Sequence, residues 1–138
     1  RCGCGNHGCL EQYASATGVV TLTKRALAAS DEPSSLRELK EVTAKDTFDA
    51  AKAGDALACA VVEQFGEILG KGLAKVACVV NPEVFVIGGG VSRAGTMILD
   101  VVGKYFMSNT FHACFDTKFK LAELGNDAGI YGCVQMIL

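Results

Sequence analysis

The chain has 138 residues, 50% of them hydrophobic and 20% charged, which is enough for one domain with a substantial core. This composition excludes a disordered tail and a collagen-like repeat. Thirteen Lys and Arg residues against fifteen Asp and Glu residues give a net charge of −2, so no basic surplus favours nucleic-acid binding. The apolar runs fall short of the roughly 20 residues that a membrane-spanning helix needs, which predicts a soluble protein with no membrane partner.

The first half of the chain predicts helices. Apolar residues at spacings of three and four predict a helix over 10–29, weakened at Gly18. Ser35 is expected to begin a short helix, with Glu38 completing a capping box. Two longer helices follow over 44–53 and 56–80, capped by Thr43 and Asp55 and ended by Gly54 and Asn81-Pro82.

Two strands are predicted in the second half. Val84–Ile87 is a continuous apolar run, typical of a strand buried on both faces, and residues 118–124 alternate as a half-buried strand does. Helices are expected over 94–106 and 128–138. The order of these elements indicates an α/β domain with a parallel core flanked by helices.

Glycines interrupt the longest predicted helix. Gly66, Gly70 and Gly72 each cost about 1 kcal/mol relative to Ala in a helix interior. We expect close packing of another backbone to offset that cost.

The seven cysteines fall into two groups. Cys2, Cys4 and Cys9 form a C-x-C-x4-C pattern on a glycine-rich loop, and the other four are scattered among small and apolar residues. Zinc prefers four nitrogen or sulfur ligands in a tetrahedron, and glycines let a loop turn sharply between them. The pattern predicts one zinc site in a reducing, cytoplasmic compartment. The alternatives are three free thiols or, with no base to activate it, a catalytic cysteine.

The spacing does not fix the fourth zinc ligand. His7 lies in the loop but is bracketed awkwardly by Cys4 and Cys9, and it stays an alternative. His112 is distant in sequence and is expected to be a surface or core residue. The chain starts at Arg1 in the middle of this cluster, with no signal peptide, so we expect a piece of a longer protein and a fourth ligand upstream.

Three segments resemble one family. Residues 2–16 (CGCGNHGCLEQYASA) are similar to the signature of the ROK family, which comprises repressors, open reading frames and sugar kinases. The segments VIGGGVS at 86–92 and NDAGIYG at 126–132 resemble its other motifs. The resemblance spans essentially the whole chain and is strongest to the bacterial glucokinases of that family.

The resemblance implies a fold and an assembly. It makes residues 1–138 the truncated C-terminal lobe of a two-lobe sugar kinase with an actin-like, ribonuclease-H-like ATPase fold. Residues 1–9 would be a zinc loop, and the helix over 127–138 would pack on the missing N-terminal lobe. That helix would then present Ile130, Tyr131, Val134, Ile137 and Leu138 as an exposed apolar stripe. Family kinases are usually homo-oligomers.

The resemblance also implies an activity, the transfer of the ATP γ-phosphate to the 6-hydroxyl of glucose or a close relative. Glu11 would bind sugar hydroxyls, and Gly88, Gly89 and Gly90 would lie against the adenosine of ATP. Structural zinc would be held by Cys2, Cys4, Cys9 and an upstream histidine. The residues alone explain Glu11 equally well as an acidic residue in the first turn of a helix, and the glycines as a plain strand-to-helix turn.

The parts of such a kinase that perform the chemistry are absent from residues 1–138. These parts are the D-x-G-G-T phosphate loop and the aspartate that accepts the hydroxyl proton while Mg²⁺ offsets the phosphate charge. We therefore assign no catalytic residue here and expect the chain alone to be inactive. The alternatives are a sugar-responsive ROK repressor, which would bind DNA through an upstream segment, and a small zinc-binding interaction module.

Overall fold

The computed structural model describes residues 1–137, without the side chain of Asn126. Helices precede and flank a pair of short strands, in the order that the sequence predicts. The described elements are α1 (Glu11–Ala14), α2 (Ala16–Ala29), α3 (Ala44–Lys52), α4 (Ala56–Val80), β1 (Val84–Ile87), α5 (Thr96–Met107), β2 (Lys118–Leu121) and α6 (Ala128–Gln135).

The two strands form a parallel pair, which confirms the predicted α/β class. Val84 pairs with Lys118 and Ile87 with Leu121, and α5 makes the connection between the strands. The prediction that β1 is buried on both faces is wrong. Val84 is 39% exposed and Val86 is 59% exposed, because alternate residues point to opposite faces and only the face of Ile87 lies against helices.

Helix α4 is the centre of the core. Its buried residues include Val61 and Phe65, and it packs against α3 on one side and α5 on the other. The ring of Phe65 meets Phe48 of α3 edge-on, with 5.9 Å between centroids. Burying each such side chain contributes about 1.5–3 kcal/mol. The helix ends at Asn81, whose φ of 42° is left-handed, at the predicted stop before Pro82.

The predicted helix over 10–29 is broken into two. Ser15 is extended, with φ −121° and ψ 175°, and its side chain accepts a hydrogen bond from the Gly18 backbone. Ser15 is therefore the N-cap of α2, and α1 is a separate single turn. Sequence periodicity missed the break because apolar residues continue in helical spacing across it.

A half-buried carboxylate, that of Asp55, organises the segment between α2 and α3. The side chain of Asp55 caps α4 by accepting from the Ala58 backbone, as predicted. It also accepts from the Ser34 hydroxyl and from both the backbone and the hydroxyl of Ser35. The predicted capping box of Ser35 is therefore absent, since its groups serve Asp55, and Ser34 caps a short 3-10 turn at Ser35–Glu38.

The expected close packing of another backbone is found at Gly70, whereas Gly66 and Gly72 admit the side chains of Val101 and Leu10. A Cβ at Gly70 would lie 2.7 Å from the Val102 carbonyl oxygen and 2.9 Å from the Phe106 nitrogen, so the backbones of α4 and α5 meet here. A Cβ at Gly72 would lie 3.2 Å from the Leu10 side chain, which brings α1 onto α4.

Helix α6 is exposed along its apolar side. Ile130, Tyr131 and Val134 of α6, and Ile137 just after it, are all more than half exposed, as the resemblance implied, and Leu138 lies outside the described residues. None of the helices described over residues 1–137 is both long and apolar enough to cross a membrane.

We expect the substitution Gly70→Ala to lower the free energy of unfolding by about 1–3 kcal/mol, because the new methyl group would overlap the backbone of Val102 and Phe106 and the Cβ of Tyr105. Gly103→Ala in α5 is the matched control, since no atom lies within 4 Å of its Cβ position. The control should be stabilised by up to about 1 kcal/mol. Urea denaturation of both variants measures the difference, and equal effects would contradict the close approach of α4 and α5.

The hydrogen bonds to the Asp55 carboxylate predict that the stability of the fold falls in acid. Burial raises the pKa of Asp55, but hydrogen bonds from Ala58, Ser34 and Ser35 outweigh it and hold the pKa below its usual value. The stabilisation is therefore present above the unfolded pKa of about 3.9 and is lost as the pH falls through the lower folded value.

Asp55→Ala should destabilise the protein at pH 7 by about 1 kcal/mol, the usual cost of a lost N-cap. Asp55→Asn keeps the oxygen that caps Ala58, but its amide nitrogen cannot accept from Ser34 and Ser35, so it should lose those bonds together with the acid dependence below about pH 3.9. Urea denaturation at a series of pH values distinguishes them. An unchanged pH profile in Asp55→Asn would show that this carboxylate does not carry the dependence.

Candidate functional site

The three N-terminal cysteines converge in space. The sulfur atoms of Cys2, Cys4 and Cys9 all lie within 4.8 Å of one another, and those of Cys4 and Cys9 are 3.6 Å apart. Tetrahedral zinc with Zn–S bonds of about 2.3 Å places its sulfur ligands about 3.8 Å apart. The donor set and its spacing therefore fit a zinc ion.

Backbone hydrogen bonds fold the loop that carries these sulfurs. The Cys2 nitrogen donates to the Asn6 carbonyl at 2.8 Å, and the Gly5 nitrogen donates to the Cys2 carbonyl at 2.9 Å. Gly8 has a φ of 73°, which turns the chain sharply just before Cys9. The loop thus returns Cys9 to the other two cysteines at the entrance to α1.

The thiols share their electrostatic environment. A hydrogen bond from the Asn6 backbone, followed by those with Cys2 and Cys9, lowers the pKa of the Cys4 thiol. The hydrogen bond with Cys4, followed by that with Cys2, raises the pKa of the Cys9 thiol. Once one thiol of the cluster has lost its proton, its negative charge makes deprotonation of the next thiol less favourable. A bound cation would offset this repulsion.

The structure brings no histidine into this group. Among the described residues, the ligand atoms that gather within 4.8 Å are the three sulfurs, without His7 or His112. Three sulfurs leave one position of a tetrahedron to a further ligand.

Glu11 lies beside the sulfur cluster, as the first residue of α1. Its Oε2 atom accepts from the Cys2 thiol, with 3.7 Å between sulfur and oxygen, and from Gln12 Nε2 at 2.5 Å. Both contacts use the same oxygen, and the residue is exposed. The carboxylate is therefore anchored at one oxygen and faces solvent, where it can accept hydrogen bonds from a ligand's hydroxyl groups.

The short helix α1 is seated by close contacts. A Cβ at Gly18 would lie 2.5 Å from the Tyr13 carbonyl carbon, so the first turn of α2 rests directly on the α1 backbone. Leu10 packs over Gly72 of α4 on another side. Because Glu11 is the first residue of α1, these contacts also fix the position of its backbone.

The glycine triplet occupies the predicted place directly after β1. Gly89 has φ 73° and ψ −163°, a conformation that favours glycine. A Cβ at Gly88 would lie 3.3 Å from Ala122, and one at Gly90 would lie 3.2 Å from Ala16. The triplet thus packs between the end of β2 and the first turn of α2.

A cleft of about 340 Å³ opens at the carboxyl ends of both parallel strands, which is where ligands bind in open α/β sheets. Of the three predicted glycines, Gly89 lines this cleft, whereas Gly88 and Gly90 are not among the described residues that line it. Ser92 also lines the cleft, and its hydroxyl donates to the Gly89 carbonyl at 2.7 Å. The full described lining is Gly89, Ser92, Arg93, Glu123, Leu124, Gly125 and Asp127.

Sequence reasoning missed two features of this region. Gln12 touches Glu11, although neighbouring helix residues do not ordinarily face each other, so spacing gave no signal for the contact. The first turn of α2 meets α1 through Gly18 and the triplet through Ala16. The serine at position 15, three residues before Gly18, was the one signal for a helix start there.

A larger cavity of about 630 Å³ lies between α3, α4 and α5, and the predicted site residues do not line it. At its rim Glu63 accepts from Lys104 and Tyr105, each at 2.8 Å. These bonds, with that from Lys104 first, lower the pKa of Glu63. They form an exposed network that links α4 to α5.

Similarity to curated proteins extends over the whole chain. A glucokinase from Halalkalibacterium halodurans is 40% identical over 135 residues, which are 95% of this chain and 41% of that protein. A xylose repressor from Caldicellulosiruptor bescii is 29% identical over 140 residues, which are 99% of this chain and 35% of that protein. The chain therefore spans less than half the length of either relative.

Comparison with solved structures gives the same result as comparison with curated sequences. The crystal structure of a ROK family glucokinase from Streptomyces griseus in complex with glucose and AMPPNP is similar with a TM-score of 0.87 and 31% identity. The similarity covers 98% of this chain and 46% of that one. The ROK family model matches residues 1–138, and the chain belongs to the ROK family.

Proposed function

We propose that this chain is the C-terminal lobe of a cytoplasmic, ATP-dependent hexose kinase of the glucokinase type, with an actin-like fold. The observation that carries the proposal is the convergence of three sulfurs at the entrance to α1, because it places a metal-binding loop directly before the exposed carboxylate of Glu11. The similarity to glucokinases over 95–98% of the chain supports the same activity.

Glu11 would bind the sugar. A carboxylate accepts hydrogen bonds from two vicinal hydroxyl groups, a pattern that hexoses present. Oε2 is already anchored by Gln12, which leaves the outer part of the carboxylate for the sugar. Glucose or a close relative is the proposed substrate, since the similar structure from Streptomyces griseus was solved with glucose.

Cys2, Cys4 and Cys9 would hold a structural zinc ion, with a histidine outside this chain as the fourth ligand. The ion would supply rigidity, by fixing the loop from which α1 begins. Since Cys9 is two residues before Glu11, a fixed loop also fixes where the carboxylate starts.

The cleft beside Gly89 would receive the adenosine of ATP. A glycine backbone admits a ribose or base closely, and the cleft lies at the carboxyl edge of the parallel strands. The phosphates, Mg²⁺ and the aspartate base would be held by the N-terminal lobe, against which α6 would pack. The chain alone is therefore expected to be inactive, and the complete kinase is expected to be a homo-oligomer.

A sugar-responsive repressor is the second candidate, favoured by the similarity to a xylose repressor over 99% of the chain. Both candidates would use Glu11 for a sugar. They differ in nucleotide binding, since a kinase would bind ATP in the cleft beside Gly89 and a repressor does not require ATP. Calorimetric titration of the full-length protein with AMPPNP separates them: binding supports the kinase, and sugar binding without nucleotide binding supports the repressor.

We expect purified protein to contain about one zinc ion per chain, measured by atomic emission after purification under mild reducing conditions. Cys4→Ser should lower the zinc content strongly, because it removes one of the three convergent sulfurs and leaves the tetrahedron incomplete. Cys78→Ser is the matched control, since Cys78 is an exposed cysteine outside the cluster. Equal zinc content in both variants would remove Cys4 from the site.

We expect Glu11→Gln to weaken sugar binding by about 10- to 100-fold in the full-length protein, because hydrogen bonds to a charged group contribute about 1.5–3 kcal/mol. Calorimetry with glucose and with AMPPNP checks this, and nucleotide affinity should stay unchanged.

Glu67→Gln is the control for that experiment, because Glu67 is an exposed helical glutamate that pairs with Lys71 away from the cluster. Its sugar affinity should equal that of the unmodified protein. If Glu11→Gln binds sugar as tightly as the control does, Glu11 is not part of the site.

A further inference from the structure

The metal loop is built in a way that exposes it to oxidation. Cys4 is exposed and Cys9 is half-buried, and their sulfur atoms are only 3.6 Å apart. A disulfide bond is about 2.05 Å long, so the two sulfurs would have to approach by about 1.5 Å. The four residues between them are exposed, so few packing contacts oppose this movement.

The loop has room to contract. Around the Cβ positions of Gly5 and Gly8, no atom lies within 4 Å, so these two residues do not pack against the rest of the protein. Cys2 is placed differently, because its thiol contacts the Glu11 carboxylate. The pair Cys4 and Cys9 is therefore favoured over a pair that includes Cys2.

We propose that this loop is also a thiol-oxidation site, at which hydrogen peroxide joins Cys4 to Cys9 and releases the metal. The Cys4 thiolate attacks a peroxide oxygen, the O–O bond breaks, and hydroxide leaves while Cys4 becomes a sulfenic acid. The Cys9 thiolate then attacks the Cys4 sulfur, the S–O bond breaks, and a second hydroxide leaves. The two sulfurs lose two electrons in total, the peroxide gains them, and the two hydroxide charges balance the departing Zn²⁺.

The consequence for the metal follows from the ligand count. A disulfide uses two of the three sulfurs, and the one that remains cannot hold zinc with the affinity of the full set. Oxidation would thereby replace a loop held by zinc with a loop held only by the Cys4–Cys9 disulfide. The proposal rests on the sulfur geometry and on zinc binding, and it does not depend on the reaction that the protein catalyses.

The test treats zinc-loaded protein with a small excess of hydrogen peroxide in dilute solution. Released zinc is followed with a chromogenic chelator, free thiols are counted, and linked peptides are mapped by mass spectrometry. We expect about one zinc released per disulfide, a loss of two thiols per chain when thiols are counted after denaturation with a chelator, and a Cys4–Cys9 linkage that dithiothreitol reverses. Cys78→Ser should release zinc at the same rate as the unmodified protein.

Cys2→Ser provides a second variant that does not depend on tight metal binding. It keeps both proposed partners and should still form the Cys4–Cys9 disulfide, whereas Cys9→Ser should not form it. A dominant linkage to Cys2, zinc loss without any disulfide, or zinc retained after Cys4 and Cys9 are joined would each overturn the proposal.

Discussion

The meeting of three sulfurs at the entrance to α1 is the constraint on which the candidate site depends. The loop from Cys2 to Cys9 has few side chains to bury, so hydrophobic packing cannot hold it in one shape. A metal ion shared by the convergent sulfurs can hold the loop in one shape, because it replaces many weak contacts with a few strong bonds. Because Cys9 lies two residues before Glu11, a loop held in this way also fixes the start of α1 and the position of the carboxylate. A residue proposed to bind a sugar is thus positioned by chemistry that lies outside the hydrophobic core.

Close approach at small residues connects this loop to the rest of the fold. Gly72 admits Leu10 onto α4, Gly18 admits α1 onto α2, and Gly90 lies against Ala16 of the same α2 turn. The first turn of α2 therefore touches both the helix that carries Glu11 and the loop that borders the cleft. A displacement at one candidate subsite would be felt at the other through packed atoms, since tightly packed interiors transmit strain.

The parts of this architecture that could be predicted from sequence are those fixed by local rules. The caps at Thr43 and Asp55, the stop before Pro82 and the strand before the glycine triplet each follow from chemistry within a few residues. The break at Ser15 and the reassignment of Ser35 to Asp55 could not be predicted, because they depend on partners that only the folded chain brings near. The prediction that β1 is buried on both faces was wrong for a related reason. An apolar run shows that both faces of a strand would be stable when buried, but the neighbouring elements decide which face is covered.

That exposed side of β1 bears on how the chain is used. Val84 and Val86 are open on the sheet, and α6 presents an apolar stripe to solvent. Exposed apolar side chains grouped in this way mark places where more protein can pack, since leaving apolar surface in water costs about 25 cal/mol per Å². The relatives are more than twice as long as the part of them that this chain spans. In the proposed kinase, the N-terminal lobe would supply the cover for α6 together with the catalytic base. The sugar and nucleotide subsites would then be completed by the same contact that buries this stripe, which couples stability of the chain to assembly of the active site.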